Sequence, residues 1–325
     1  MASPNSNYTD LSVAGIENRS SEIANNVLNN TPLGAQLGKK GRVETFDGGT
    51  KILQPMSFTQ NPNGGAYSGY DTLPVAPAEV ITASEWNIKQ YAVPVTVSGL
   101  EEIQNAGRSR MIPLVKARLQ VAEDTMKNLH EVGIYGDGTG FGGKAITGLG
   151  AIVEATATAS QTSTVGGIPR SSNAFWRSNY QSLATASAAN CQIAFNTMWS
   201  GQTRGADRPD LVVAGSTIWA RYLQSLQAIQ RFADAGTASL GFPSVKYWDA
   251  DVVLGGGIGG VVAATTAFFL NTKYLFWRPF AGRNMVALDP KRFAVNQDAS
   301  VTILAWAGNL ACSGAQFQGR LVSSD

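Results

Sequence analysis

The chain has 325 residues, which allows roughly two domains of about 150 residues and lets most of the surface be buried without disulfides or metals. Only 15% of residues are charged, against roughly 25% in an average soluble protein, and the formal net charge of +2 offers no basic field for nucleic acid. One histidine, His130, and two cysteines, Cys191 and Cys312, exclude a zinc cluster and a disulfide framework, and any Ser-His-Asp or Cys-His device would have to use His130.

Residues 1–41 are polar and Asn-rich. Their start, Met1-Ala2-Ser3-Pro4-Asn5, lacks the basic and apolar regions of a signal peptide, so intracellular synthesis is expected. Ile16, Ile23, Val27 and Leu28 lie near helical spacing; Leu33 and Leu37 add a turn that Gly38 and Gly41 close. This is too little apolar surface to fold alone, and the segment reads as an arm lying on something else.

Residues 42–98 read as β. A short run covers Arg42 to Phe46, and an alternating one covers Lys51 to Phe58. The strongest turn signal in the chain follows, Gln60-Asn61-Pro62-Asn63-Gly64-Gly65. After Pro74 and Pro77, an extended run from Glu85 to Ser98 carries Trp86, Ile88, Tyr91, Val93, Val95 and Val97 near period two. Two long strands and a polar tip make a hairpin that cannot stand alone and needs a surface to lie on.

The clearest helix spans 109–132, with Val115, Leu119, Ala122, Met126 and Leu129 on one face. Pro113 sits near its start, Glu123 and Lys127 form a favourable i,i+4 pair, and Gly133 and Gly136 stop it. Residues 136–174 are rich in Gly, Ser and Thr and read as loop. An α/β pattern follows: a helix over about 184–200, a buried strand Leu211–Ala214, and a helix from Ser216 or Thr217 to about Phe232. Strands are expected at Val245–Tyr247, Val252–Leu254, Thr266–Leu275, Phe293–Asn296, Ser300–Ala307 and Ala311–Val322. The uncharged stretch from Val252 to Leu270 is long enough to flag a membrane span. Its glycines at 255–257 and 259–260 make a poor helix, so two strands around a glycine turn are expected instead.

Candidate chemistry is sparse. Gly138-Thr139-Gly140-Phe141-Gly142-Gly143-Lys144 fits a phosphate-loop pattern, but Ala145 stands where a magnesium-binding hydroxyl belongs, and the segment follows a helix rather than a strand. A glycine-rich connection is the expectation. His130 reads as a surface histidine just off the apolar face, favoured near a helix C-terminus. Glu101 and Glu102 complement a helix start, and Asp249 and Asp251 lack a third metal ligand nearby. Cys191 and Cys312 read as small buried residues. The tryptophans at 176, 199, 219, 248, 277 and 306 do not cluster with basic residues as a stacking platform would. Phe175-Trp176-Arg177 suits either an interface anchor or the core. No catalytic residue, cofactor or metal site is expected.

Several segments resemble, in order, those of one group of phage capsid proteins: Glu44 to Phe58, Tyr67-Ser-Gly-Tyr-Asp-Thr-Leu73, Tyr135-Gly-Asp-Gly-Thr-Gly140, Thr164-Val-Gly-Gly-Ile-Pro-Arg170 with Phe175-Trp176-Arg177, and Asn309-Leu-Ala-Cys312 with Gln318-Gly319. With the arm, hairpin, long helix and α/β part, the chain resembles the major capsid protein of tailed bacteriophages, the HK-ninety-seven-type fold. The resemblance implies an α+β fold: an N-terminal arm (1–41) making contacts through Ile16, Ile23, Val27 and Leu28, and an E-loop β-hairpin with supporting strands (42–98), its intersubunit tip at Asn61, Pro62, Asn63, Gly64 and Gly65. It also implies a peripheral domain (99–144) whose spine helix packs through Val115, Leu119, Ala122, Met126 and Leu129, an α/β axial domain (145–285), and a return to the peripheral β-sheet (286–325).

The function it implies is self-assembly into hexamers and pentamers of an icosahedral head around double-stranded DNA, without sequence-specific contact, in the virion after assembly in the host cytoplasm. A portal and a separate scaffolding protein are expected partners, because the arm begins at once; no membrane partner is expected. The only lysine in the ascending strand, Lys51, lies far from the tip, which argues against the covalent E-loop cross-link of some relatives. The alternatives are an encapsulin-type compartment shell and a nucleotide-binding enzyme using residues 138–144.

Overall fold

A computed structural model describes residues 32–100, 108–184, 187–226, 244–256, 260–288, 292–293 and 298–324, with backbone alone for 108–117, 244 and 292–293. The expected arm contacts Ile16, Ile23, Val27 and Leu28 lie outside the described residues. Helix α1 (Pro32–Lys39) buries Leu33 and Leu37 completely in the main core, so this end of the expected arm belongs to the body. Gly41, at φ +65°, ends the turn that follows, as a residue without Cβ can.

Strands β1 (Lys51–Ser57) and β2 (Ile81–Asn87) pair antiparallel from Lys51↔Asn87 to Ser57↔Ile81. Ile52, Gln54 and Met56 point inward and the residues between them outward, the alternation of a half-buried strand. The hairpin root thus has local core: Ile52, Met56 and Trp86 join the main cluster. The sequence reading missed this, because the apolar surface that covers the root comes from distant segments. The run expected as one strand over Glu85–Ser98 breaks at Ile88, where pairing changes from β1 to the other end of the chain.

Past that break, β3 (Lys89–Ser98) pairs with β13 (Ala299–Cys312) from Gly308↔Lys89 to Ala299↔Ser98. On its other edge β13 meets β11 (Leu275–Ala287) and then β12 (Arg292–Phe293). Helix α2 (Arg108–Tyr135) lies against β3. It runs three residues beyond the expected end, through Gly133, where an added Cβ would meet Tyr91 Oη at 2.9 Å. Ala122 and Met126 are buried and Leu119 and Leu129 half-buried, while the Val115 side chain lies outside the described part. Lys127 pairs with Asp124 at 3.1 Å rather than with Glu123, which is itself buried.

The six-stranded sheet has the order β6 (Asn179–Leu183), β14 (Gly319–Ser323), β10 (Thr266–Leu270), β7 (Leu211–Ala214), β9 (Ala250–Leu254) and β8 (Ser244–Tyr247). Its central strands are buried on both faces, which explains their continuous apolar runs. Leu211, Val213, Phe268 and Leu270 face the main core. Val212, Ala214, Ala267 and Phe269 face α3 (Ala188–Gln202) and α4 (Ser216–Ser225), where Phe195 stacks on Tyr222 at 4.8 Å. The glycine segment after β9 does not turn between neighbours: β7 lies between β9 and β10. Sheet membership also crosses the boundary expected at 285/286: β11, which spans it, joins β13, and β14 after it joins the six-stranded sheet.

Between α2 and β6 the chain makes single helical turns and a small hairpin, β4 (Thr164–Val165) with β5 (Ile168–Pro169). The Gly166 carbonyl accepts from Glu85 N at 2.9 Å, and a Cβ at Gly166 would sit 3.1 Å from Ser84 Cβ, so this turn buttresses β2.

Candidate functional site

Beyond the paired strands the hairpin continues as a loop over residues 58–80. Its base is closed by Phe58 N donating to the Val80 carbonyl at 3.1 Å. Asn61 Oδ1 accepts from Asn63 N at 3.0 Å, an Asx turn, and Asn63 Nδ2 donates to the Ala76 carbonyl. Between those arms lies a second turn, Ser68–Asp71, in which Asp71 N donates to the Ser68 carbonyl at 3.0 Å and Asp71 Oδ2 accepts from Ser68 N at 2.8 Å. Asn61, Pro62, Gly64 and Gly65 are exposed and Asn63 half-buried.

The loop's chemistry is less polar than its turn sequence suggests. Tyr67, Tyr70, Leu73, Val75 and Ile81 are all exposed, Val75 at 90% and Tyr70 fully. Four of these lie in the loop and Ile81 begins β2, so large apolar side chains are exposed along one segment. The sequence reading missed them as contact residues. Their signal was apolar and aromatic side chains between Pro74, Pro77 and glycines, since proline cannot donate to a strand ladder and a segment so punctuated cannot bury them at home.

Away from the loop, Arg170, Trp176 and Gln318 of the motifs that carried the resemblance serve as joints. Arg170 is fully buried, with Nε donating to the Trp176 carbonyl at 3.0 Å, Nη1 to Ser163 Oγ at 3.1 Å and Nη2 to the Ile152 carbonyl. Burial pushes its pKa down. Trp176 is core, its Nε1 donating to the Val165 carbonyl at 2.8 Å. Gln318 is buried and exchanges hydrogen bonds with the Asn271 backbone at 3.0 Å each way.

The glycine loop closes on itself: Gly143 N donates to the Thr139 carbonyl at 2.9 Å and Ala145 N to the Gly140 carbonyl at 3.0 Å. Those amides are therefore not offered to a phosphate, and Lys144 points into solvent. Among the described residues no three His, Cys, Asp or Glu side chains stand where one metal ion could bridge them. Asp249 pairs with Arg208, and Asp251 with Lys246 at 3.2 Å. Glu101 and Glu102 lie outside the described residues. Among the described residues no helix is long and apolar enough to cross a membrane.

His130 departs from its expected surface position. It is 1% exposed, because Ala122, Met126, His130 and Ile134 form one stripe at spacing four. Its Nδ1 bonds the Met126 carbonyl at 2.9 Å, and its ring meets Trp306 edge-on at 4.5 Å, with Trp277 and Tyr91 beside it. Burial lowers its pKa to about 4. Cys191 and Cys312 are buried and unpaired, and burial pushes the Cys312 thiol up to about 12.

The mixed helix-and-sheet fold matches that of phage capsid proteins. The chain is similar to a subunit of the cyanophage A-1(L) capsid (TM-score 0.63, 15% identity, 87% of this chain and 90% of that one). It is also similar to a subunit of the capsid of the empty GTA particle (TM-score 0.56, 12% identity, 88% and 96% covered) and of the satellite phage P4 procapsid (TM-score 0.52, 9% identity, 94% and 91% covered). No family model and no curated protein matches.

Proposed function

We propose that the chain is a major capsid protein that assembles into hexamers and pentamers of an icosahedral phage head enclosing double-stranded DNA. One observation supports the reading beyond the shared fold: the loop exposes Tyr67, Tyr70, Leu73 and Val75, and among the described residues no other part of the chain covers them. Fully burying such a side chain is worth about 1.5–3 kcal/mol, so a neighbouring copy gains by covering the group. In this reading the hairpin is the E-loop, residues 1–31 complete the arm, α2 is the spine helix, and the six-stranded sheet with α3 and α4 is the core of the axial domain. The subunit acts as a building block, not as an enzyme. A portal and a scaffolding protein act with it, assembly takes place in the host cytoplasm, and the DNA is enclosed without sequence reading.

The test is electron microscopy of particles made when the chain is expressed with the genes that flank its own. Closed icosahedral shells with hexameric and pentameric capsomers are expected. A chain that stays monomeric at every concentration, or shells filled with an enzyme cargo, would overturn the reading.

A further inference from the structure

A cleft of about 470 Å³ opens between α3, the start of β6 and the Ala315–Phe317 turn. Its lining includes Arg177, Arg204, Ser160, Ser178, Gln202 and Phe317, and among the described residues no Asp or Glu lines it. Gln202 is 2% exposed, and both of its amide atoms, like Ser178 Oγ, find no hydrogen-bond partner among the described residues. These atoms have almost no accessible surface, and the Gln202 amide packs against Gly319, so they form the wall behind the cleft and the charged groups an occupant can reach are the two arginines. Arg177 is fixed by Nε on the Arg170 carbonyl at 2.9 Å and Nη2 on the Ser171 carbonyl at 3.0 Å, which leaves Nη1 for a ligand. The Arg204 guanidinium lies over the Phe317 ring, 4.6 Å from its centroid, with Nη2 3.3 Å from Asp207. That carboxylate is also held by Lys273 and Tyr274, each at 2.7 Å, so Arg204 is not neutralised by it alone.

The occupant these features fit is a carboxylate on a polypeptide. Two arginines supply the charge, and the guanidinium fork suits a carboxylate. Duplex DNA is a poorer fit, since phosphate binding wants a broad basic face and the chain carries a net charge of only +2. A suitable acid lies on the chain itself. Residues 58–80 contain Asp71 and Glu79 and no Lys or Arg. Asp71 caps its own turn. Glu79 is exposed and makes no ion pair among the described residues.

We infer that Glu79 of one copy enters the Arg177–Arg204 cleft of a neighbouring copy and fixes where the projecting loop lands. This rests on the self-assembly reading and adds the partner residue to it. Arg204 and Glu79 are both exposed, so reversing either charge leaves the free subunit folded, which its melting curve verifies.

The experiment is a charge swap read by sedimentation of assembled shells. Arg204→Glu and Glu79→Arg should each lower the assembled fraction, on the order of tenfold, and the double variant should recover most of it. Normal assembly of either single variant, or no recovery in the double, would overturn the pairing while leaving the capsid reading intact. Normal shell yield with weaker nucleic-acid binding in Arg204→Glu would give the cleft to a phosphodiester, and would also overturn it. A wild-type chain that forms no shells would remove the capsid reading and the pairing together.

Discussion

Asn309 Nδ2 donates to the carbonyl of Asn87 at 2.7 Å, tying the root of the hairpin to the long strand β13. The same side chain accepts from Thr147 N at 2.9 Å, so one fully buried amide holds hairpin, sheet and the loop after α2 together. Replacing it by leucine removes both functions and leaves the part-buried Asn87 carbonyl and Thr147 N–H without this partner. Asn309→Leu should cost about 2–4 kcal/mol in denaturant unfolding of the free subunit. A cost under about 0.5 kcal/mol would show that the joint is redundant.

His130 gives a pH dependence with a definite sign. Its folded pKa is lowered from 6.5 to about 4 by burial. The unfolded chain therefore binds an extra proton between those values. Stability from the neutral ring is complete above about pH 6.5 and is lost as pH falls toward 4, by about 3 kcal/mol. Between pH 7.5 and 4.5 about 2.5 kcal/mol of this is lost, so unfolding free energies at those two pH values should differ by that much more in the wild type than in His130→Gln. Equal differences would mean that other groups set the acid response.

The thiols give a third prediction. Cys191 and Cys312 are fully buried, and burial raises both pKa values. A thiol held protonated and out of solvent is a poor nucleophile. Neither should react with a thiol reagent at pH 8 until the chain unfolds, when both should. Stoichiometric labelling of the native subunit would contradict this.

Local periodicity made much of the fold legible. The spacing from Leu119 to Leu129 gave α2 within three residues of its end, and the apolar run Leu211–Ala214 gave a strand buried on both faces. What failed was non-local. Glu85–Asn87 and Lys89–Ser98 alternate alike, so nothing in the sequence told which partner each would take. His130 was misplaced because a polar residue type outweighed its spacing of four from Met126. The Arg177–Arg204 cleft was invisible, since its walls come from residues near 160, 178, 203 and 317. Of the loop, the turn Asn61–Gly65 was legible, whereas the exposure of the tyrosines beyond it became visible only once the paired strands showed that no described residue covers them.

The central claim is that the loop over 58–80 meets its surface on another copy. Hydrogen exchange on free subunits and on assembled shells tests it most directly. In the free subunit, amides of residues 59–79 should exchange fast, while those of β1, β2 and α2 should be protected in both states. In shells the loop amides should slow on the order of a hundredfold or more, with little change in α2. Loop amides that exchange equally in both states would contradict the account.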